Sequence, residues 1–417
     1  MGLKGIRKAV GLLLVFSCLF SMSGCWDRTE IEELAFALGV AVDFPKETKS
    51  KDIEEAPVKK VNPNIDAPDI AVSPGEREGT VSLVPVEYLI TVELPNLRAL
   101  SSGQSGTAAG GGSKPRRLAS VVAASMQRAV TALSERVYRP LFFGHQRVLI
   151  IGEEVARHGI KPIIDYFLRN LRINPRMRFM ISKGEAKKVL DIEPQMDPLT
   201  SRYLFKLLQN APNHSFGVDS NLLELTNQLM VSGDAVVSRV TAGKDDATVG
   251  GSAVIRDWKL VGWLGEVETQ GFCLAKGLAR QGTIGVPIPD YPSEELAYYY
   301  RNAKSKIVPI VTEEEVSFQI LVDLRGGITQ ETGYLALSKE QLEWAERALA
   351  AEVSRRVKAG IDKLQEFKVD ACEFGRAVER ANYHLWETKY RSQWEEIYPH
   401  VNVEVNSVVT ILSSGVL

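Results

Sequence analysis

The chain has 417 residues, of which 45% are hydrophobic and 24% charged, the balance of a folded protein large enough for two or three cores. Lys plus Arg number 50 against 52 Asp plus Glu, a net charge of -2, which removes the global electrostatic case for a nucleic-acid partner. Only 4 cysteines are present, too few and too far apart for a disulfide framework.

The first element is an export segment. Lys4, Arg7 and Lys8 precede an apolar run over 10–20, about half the roughly 20 residues that a spanning helix needs. The run therefore reads as a cleavable leader over 1–24, ending in Met22-Ser23-Gly24-Cys25-Trp26-Asp27. Ser23 and Gly24 are small enough to expose the bond before Cys25, and the pattern resembles the bacterial lipobox, with Met22 where Leu is commoner. That resemblance implies a covalent diacylglycerol on the Cys25 sulfur and an N-acyl chain on its new amino terminus. Each buried methylene contributes about 0.8 kcal/mol, so paired acyl chains anchor a protein without a protein span. Trp26 and Asp27 come next, an indole suited to the headgroup region and a carboxylate that stays wet. They are candidate membrane-proximal contacts, the other reading being that Trp26 packs into the first domain.

Thr29 and Glu32 have capping-box spacing for a short helix over 27–33, and the apolar continuity of 34–42 predicts a strand covered on both faces. Residues 44–80 scatter five prolines among charges and read as a flexible loop. The alternation over 86–94 predicts a strand pairing with 34–42, with Tyr88, Ile90 and Val92 on one face and Leu89, Thr91 and Glu93 on the other. A Gly/Ser-rich linker over 101–113 follows. Leu118, Val122, Met126, Ala129 and Leu133 recur at helical spacing and predict a helix over 114–136.

Strands over 147–151 and 177–181 and helices over 153–158, 161–171 and 184–190 complete an N-terminal α+β domain, 25–195. Pro194 and Pro198 mark a boundary, and helices over 199–208 and 222–230 suggest a small middle unit, 196–232. The C-terminal domain, 233–417, is expected to carry its own sheet, with strands over 234–240, 252–256, 260–264, 316–324 and 401–412. Tyr298, Tyr299 and Tyr300 before Arg301 read as a helix covering a core with two of the three rings, a recognition surface being the alternative. Ser338 and Gln341 open a long helix to about Phe367, with a seam of Leu342, Ala345, Leu349, Val353, Val357, Ile361 and Leu364. The fold class is α+β in two to three domains, with mixed and antiparallel sheets packed by helices. Cys18 leaves with the leader; Cys273 and Cys372 read as two separately buried thiols in helical contexts, one bridge between them being the alternative.

The residues offer no catalytic constellation. His145, His158, His214, His384 and His400 lack metal-ligand spacing, and no nucleophile elbow or phosphate-binding loop is present. Neighbouring carboxylates such as Glu153 and Glu154 point to different sides of a helix. No catalytic and no metal residue is assigned.

Several segments together resemble the Ger(x)C family of spore-germination lipoproteins. They are Gly24-Cys25-Trp26-Asp27-Arg28 with Gly39-Val40-Ala41-Val42-Asp43; Gly144-His145 leading to Gly152-Glu153-Glu154; Leu260-Val261-Gly262-Trp263-Leu264; and Lys368-Val369-Asp370, Phe374-Gly375 and Trp394-Glu395-Glu396-Ile397-Tyr398-Pro399. The resemblance implies a non-catalytic C subunit of a nutrient germinant receptor, on the outer, extracytoplasmic face of the inner spore membrane. It further implies integral-membrane A and B subunits as partners and a small nutrient as ligand of the complex. The long segments over 44–80 and 103–113 depart from the family pattern as loop insertions. Two rival readings fit a lipobox: a solute-binding lipoprotein of an importer, which needs two similar βαβ lobes, and a lipid-anchored cell-wall hydrolase, which needs convergent acids in a pocket.

Overall fold

The structure, a computed structural model, describes residues 33–46, 86–101, 114–289, 291–330 and 338–414. Cys25, Trp26, Asp27, the short helix expected before Glu33, and nearly all of the two insertions lie outside the described residues.

Two sheets organise the molecule, eight-stranded and four-stranded, beside a two-stranded ribbon. The apolar run at 34–42 divides into β1 (Ala35–Phe36) and β2 (Gly39–Asp43). As expected, β2 pairs antiparallel with β3 (Tyr88–Pro95). Both faces of β3 are covered, so Thr91 and Glu93 are as buried as Ile90 and Val92. A short helix, α1 (Leu97–Ser101), follows.

The single helix expected over 114–136 is instead a strand, β4 (Arg116–Ala123), and a shorter helix, α2 (Met126–Ser134). The i, i+4 spacing of Leu118 and Val122 is met by both structures. Antiparallel pairing with β3 decides for the strand, and Ser125, which accepts from the Arg128 N–H, caps the helix that begins after it.

Next come β5 (Leu141–Phe142), β6 (Val148–Gly152), α3 (Glu153–His158), α4 (Lys161–Arg169), β7 (Arg178–Ser182), α5 (Ala186–Asp191), α6 (Thr200–Asn210) and α7 (Leu222–Val231). The strands β8 (Asp234–Ala242), β9 (Ala247–Arg256) and β10 (Lys259–Leu264) follow. They were expected in a separate C-terminal sheet, but they extend the first one, whose order is β10-β9-β8-β7-β6-β2-β3-β4. Nor do α6 and α7 form a unit apart. Leu204 and Leu208 of α6 pack on one face of the sheet with Val189 and Leu190 of α5, while Leu225 and Leu229 of α7 pack on the other with Leu133, Ile163 and Phe167. Pro194 and Pro198 punctuate a connection between helices, whereas strand pairing settles which elements share a core.

The buried charges Glu93 and Arg116 show how this sheet holds its helices. Glu93 accepts from the Thr200 and Ser201 N–H groups at 2.8 and 2.9 Å, at the start of α6. Arg116 donates to the carbonyls of Leu190, Asp191 and Ile192 at 2.7–3.0 Å, at the end of α5. Each charge meets the helix pole of opposite sign. Burial pushes the Glu93 carboxyl above its usual range, against the hydrogen bonds from Ser201 and the nearby Arg116. Glu93→Gln keeps one accepting oxygen and should cost about 2 kcal/mol, the value of one buried charged hydrogen bond. Urea unfolding checks it, and an unchanged midpoint would remove this role.

The second unit begins with α8 (Glu266–Lys276), followed by β11 (Gly282–Ile288), β12 (Tyr291–Val311) and β13 (Val316–Gln330). The three tyrosines lie in β12 and not in a helix. Tyr298 and Tyr300 face the core with no exposure, and Tyr299 on the other side is half-buried, the two-residue period of a strand. After β13 comes α9 (Lys339–Glu366), which starts at the expected Ser338/Gln341 capping box and buries the expected seam from Ala345 to Leu364. A helix, α10 (Phe374–Ala381), a run of short helical turns over 383–400 and β14 (Asn402–Ser414) close the fold. The four-stranded order is β11-β12-β13-β14, with β14 parallel to β13. Cys273 on α8 and Cys372 are separate free thiols, and Cys372 sits in the turn before α10 and not on a helix.

Candidate functional site

Among the described residues, several of those that carry the sequence resemblance gather in two places. The first lies at the carboxyl ends of the parallel strands β2, β6 and β7, where open α/β sheets present clefts. Asp43 ends β2 and turns its carboxylate onto the start of α5, accepting from the Ala186 and Lys187 N–H groups at 2.7 and 2.8 Å. A side chain at Gly152, which ends β6, would overlap the Asp43 carboxylate. The pair Asp43 and Gly152 therefore locks β2, β6 and α5 together. Burial raises the Asp43 pKa against those two N–H bonds.

Around this lock lies a cleft of about 470 Å³ lined by Phe44, Lys46, Glu153, Arg157, Lys183 and Glu185. Its charges are largely matched within the chain. Lys46 and Lys188 reach Glu185 at 2.5 and 3.1 Å, and Arg157 reaches Glu153 at 2.8 Å. The Lys46 hydrogen bond holds Glu185 below its usual range. Burial pushes Glu153 up, but hydrogen bonds from Arg157 and from the Trp263 indole outweigh it and its pKa is lowered. These acids are ionised and engaged at neutral pH, an arrangement for fixing elements and contacting polar partners, and unlike a poised proton donor.

The second place joins the two sheets. Asp370, in the turn between α9 and α10, accepts from the Phe374 and Gly375 N–H groups at 2.8 Å and from the Trp394 indole at 3.0 Å. Its own N–H donates to Asp234 of β8 at 2.7 Å. Any Cβ on Gly375 would lie 2.9 Å from the rings of Trp386 and Trp394, so the motif's Asp, Gly and Trp pack as one knot. Tyr398 completes it, donating to the Val369 carbonyl at 2.9 Å. Burial raises Asp370 to about 6, against the three hydrogen bonds it accepts, and raises Asp234 to about 7. Gly262 is explained similarly, because a side chain there would overlap the Phe367 ring.

Burial pushes both free thiols up to about 12, so neither is a thiolate at neutral pH. Among the described residues no three His, Cys, Asp or Glu side chains stand close enough to hold a metal, and no helix is long and apolar enough to cross a membrane. Glu153 and Glu154, neighbours expected to point to different sides of a helix, both line the cleft, and Glu153 is the one tied to β10 through Trp263. Asp234, Glu93 and Arg116 were missed from sequence. A charge inside an otherwise apolar strand was the available signal in β3, whereas nothing local marks Asp234 as the partner of a turn 136 residues away.

Comparison with known proteins agrees with these motifs. Two family models match, described as "Spore germination protein N-terminal domain" over residues 84–242 and "Spore germination B3/ GerAC like, C-terminal" over 250–415. The limit between them falls in the hairpin between β8 and β9, inside the eight-stranded sheet. Spore germination protein YndF of Bacillus subtilis (strain 168) is 24% identical over 419 residues, covering 98% of this chain and 97% of that one. Spore germination protein B3 of the same organism is 22% identical over 421 residues, covering 98% and 99%. The crystal structure of the GerBC protein shares the fold with a TM-score of 0.52, at 21% identity, over 78% of this chain and 94% of that one. With these models on both sides of the hairpin and relatives matching end to end, the chain belongs to the Ger(x)C family of spore germination proteins, the C subunits of germinant receptors.

Proposed function

We propose that this chain is the lipid-anchored, non-catalytic C subunit of a nutrient germinant receptor. Cys25 carries diacylglycerol and an N-acyl chain, and these hold the protein on the extracytoplasmic face of the inner spore membrane. There it assembles with integral-membrane A and B subunits, and the assembled receptor couples a small nutrient to germination. The observation that carries this reading is the family match over both halves of the chain, joined to a leader that ends in Gly24-Cys25. The character of the two motif clusters supports it, because their carboxylates are spent on helix starts and ion pairs that build a rigid scaffold for contact.

Two measurements test the proposal. Cys25→Ser removes the lipid attachment, and the variant should leave the inner-membrane fraction of spores, with germination in response to nutrient lost. A variant that stays membrane-bound and active would show that lipid is not the anchor. Affinity purification of the tagged wild-type chain from spore membranes should bring polytopic subunits with it, and their absence would remove the assembly.

A further inference from the structure

Among the described residues the three most exposed large apolar side chains are Leu171 at 98%, Met196 at 94% and Tyr138 at 89%. They belong to three separate loops, yet all lie at one end of the first sheet. The loop with Tyr138 runs into β5, which pairs with β1, and the Pro140 carbonyl accepts from the Ala35 N–H at 2.9 Å. The loop with Leu171 meets it, the Arg172 carbonyl lying 3.2 Å from where a Gly144 Cβ would stand. The loop with Met196 leads into Thr200, which is held by Glu93, and the Glu93 carbonyl accepts from Leu38 between β1 and β2.

This is also the end at which the chain arrives from Cys25. Glu33 is the eighth residue after Cys25, a span of at most about 28 Å. Arginines stand beside two of the apolar tips. Arg172 and Arg176 are exposed, no acid lies over 170–177, and Arg139 stacks on the Tyr138 ring at 5.1 Å. None of the three makes an ion pair among the described residues, in contrast to Arg169 with Asp165 and Arg178 with Asp219 nearby. Asn170 and Asn174 accept from the Arg172 and Arg176 N–H groups and hold the loop's turns.

From this geometry we infer that the end of the first sheet bearing Tyr138, Leu171 and Met196 rests on an anionic phospholipid surface. The three apolar tips enter the boundary between headgroups and acyl chains while Arg139, Arg172 and Arg176 meet lipid phosphates. Isolated apolar tips, those at Tyr138 and Leu171 beside cations and that at Met196 between Glu193 and Asp197, which pair with Lys114 and Arg202, suit a fluid headgroup layer, which closes around each separately. A protein partner would instead call for one contiguous apolar patch. The inference rests in part on the lipid-anchor reading, since the short tether brings this end to the bilayer first. It adds an orientation, with the loops at this end of the first sheet turned to the bilayer.

The test uses the mature, lipidated full chain in phospholipid vesicles. Cys273 and Cys372 are buried, so a cysteine placed by Tyr138→Cys, Leu171→Cys, Met196→Cys or the control Leu412→Cys can be labelled with an environment-sensitive fluorophore. With phosphatidylglycerol present, a quencher dissolved in the acyl region should quench the labels at 138, 171 and 196 several-fold more than the label at 412. Arg139→Gln, Arg172→Gln and Arg176→Gln combined should abolish that difference while flotation with the vesicles persists. Flotation with equal quenching at all four positions would overturn the inference and leave the anchor intact. Flotation only on anionic vesicles, lost in the triple variant, would support the membrane face and remove the anchor. Labels that are buried in spore membranes but not lipid-quenched in vesicles would show a protein docking there and overturn the inference.

Discussion

Asp370→Ala is expected to lower stability by about 3–5 kcal/mol, the range for leaving buried charged hydrogen bonds unmade. Three donors, the N–H groups of Phe374 and Gly375 and the Trp394 indole, lose their acceptor in a place where water does not reach. The turn would also lose its grip on α10, and with it the hold of the second unit on Asp234 of the first sheet. Denaturant unfolding followed at the tryptophans reads this directly, and a shift below 1 kcal/mol would mean that the knot is not a structural hub. The same carboxylates set a pH dependence. Their folded pKa values, about 6 for Asp370 and about 7 for Asp234, lie above the 3.8 of an unfolded aspartate. The native state therefore keeps these protons longer than the unfolded state does. Their contribution is fully present below about pH 4 and is lost as pH rises to about 7. Asp234→Asn keeps an acceptor for the Asp370 N–H and removes the titration, and the fall in stability between pH 4 and 8 should shrink by about 2–3 kcal/mol. An identical pH profile in the variant would refute the assignment.

Gly271→Ala should cost about 2–4 kcal/mol, although alanine is the better helix former by about 1 kcal/mol. Its Cβ would overlap the Arg356 carbonyl oxygen of α9, and reciprocally a Cβ at Gly360 would lie 2.6 Å from the Glu268 carbonyl of α8. Two helix backbones therefore touch at paired glycines, with neighbouring Phe272 and Val357 fully packed. Neither backbone can retreat, because α8 is also held by Thr269 against Ser252 of β9, and α9 by Ser354 against Ser407 of β14. Gly360→Ala should behave alike, and the double variant should cost less than the sum if one contact is at stake. Equilibrium unfolding of the three variants decides it, and wild-type stability in either single variant would show that the helices do not meet there.

The comparison of pattern with fold turns on particular elements. α9 was readable almost to the residue, because its capping box and seven-position seam are both local signals. β2 was readable from its apolar continuity, and its pairing with β3 followed from the matching strand beyond the insertion. β4 was misread as helix because Leu118 and Val122 satisfy two periods at once, and the tyrosines of β12 were misread because three adjacent aromatics carry no period. The parallel addition of β14 to β13 and the enrolment of β8, β9 and β10 in the first sheet had no local signal.

The clusters divide in the same way. The expected lipid site at Gly24-Cys25 rests on its neighbours alone, since a peptidase and an acyl donor would read a short stretch of chain before any fold exists. Family membership could be read equally early from short motifs, and the matches over 84–242 and 250–415 agree. What those motifs do could not be read that way. Asp43 finds α5 some 143 residues on, Glu93 finds α6, Asp370 finds Asp234, and Gly271 finds Arg356. Periodicity and caps report interactions within a turn or two of chain, whereas a buried carboxylate or a glycine contact is defined by whatever packing brings to it from far away.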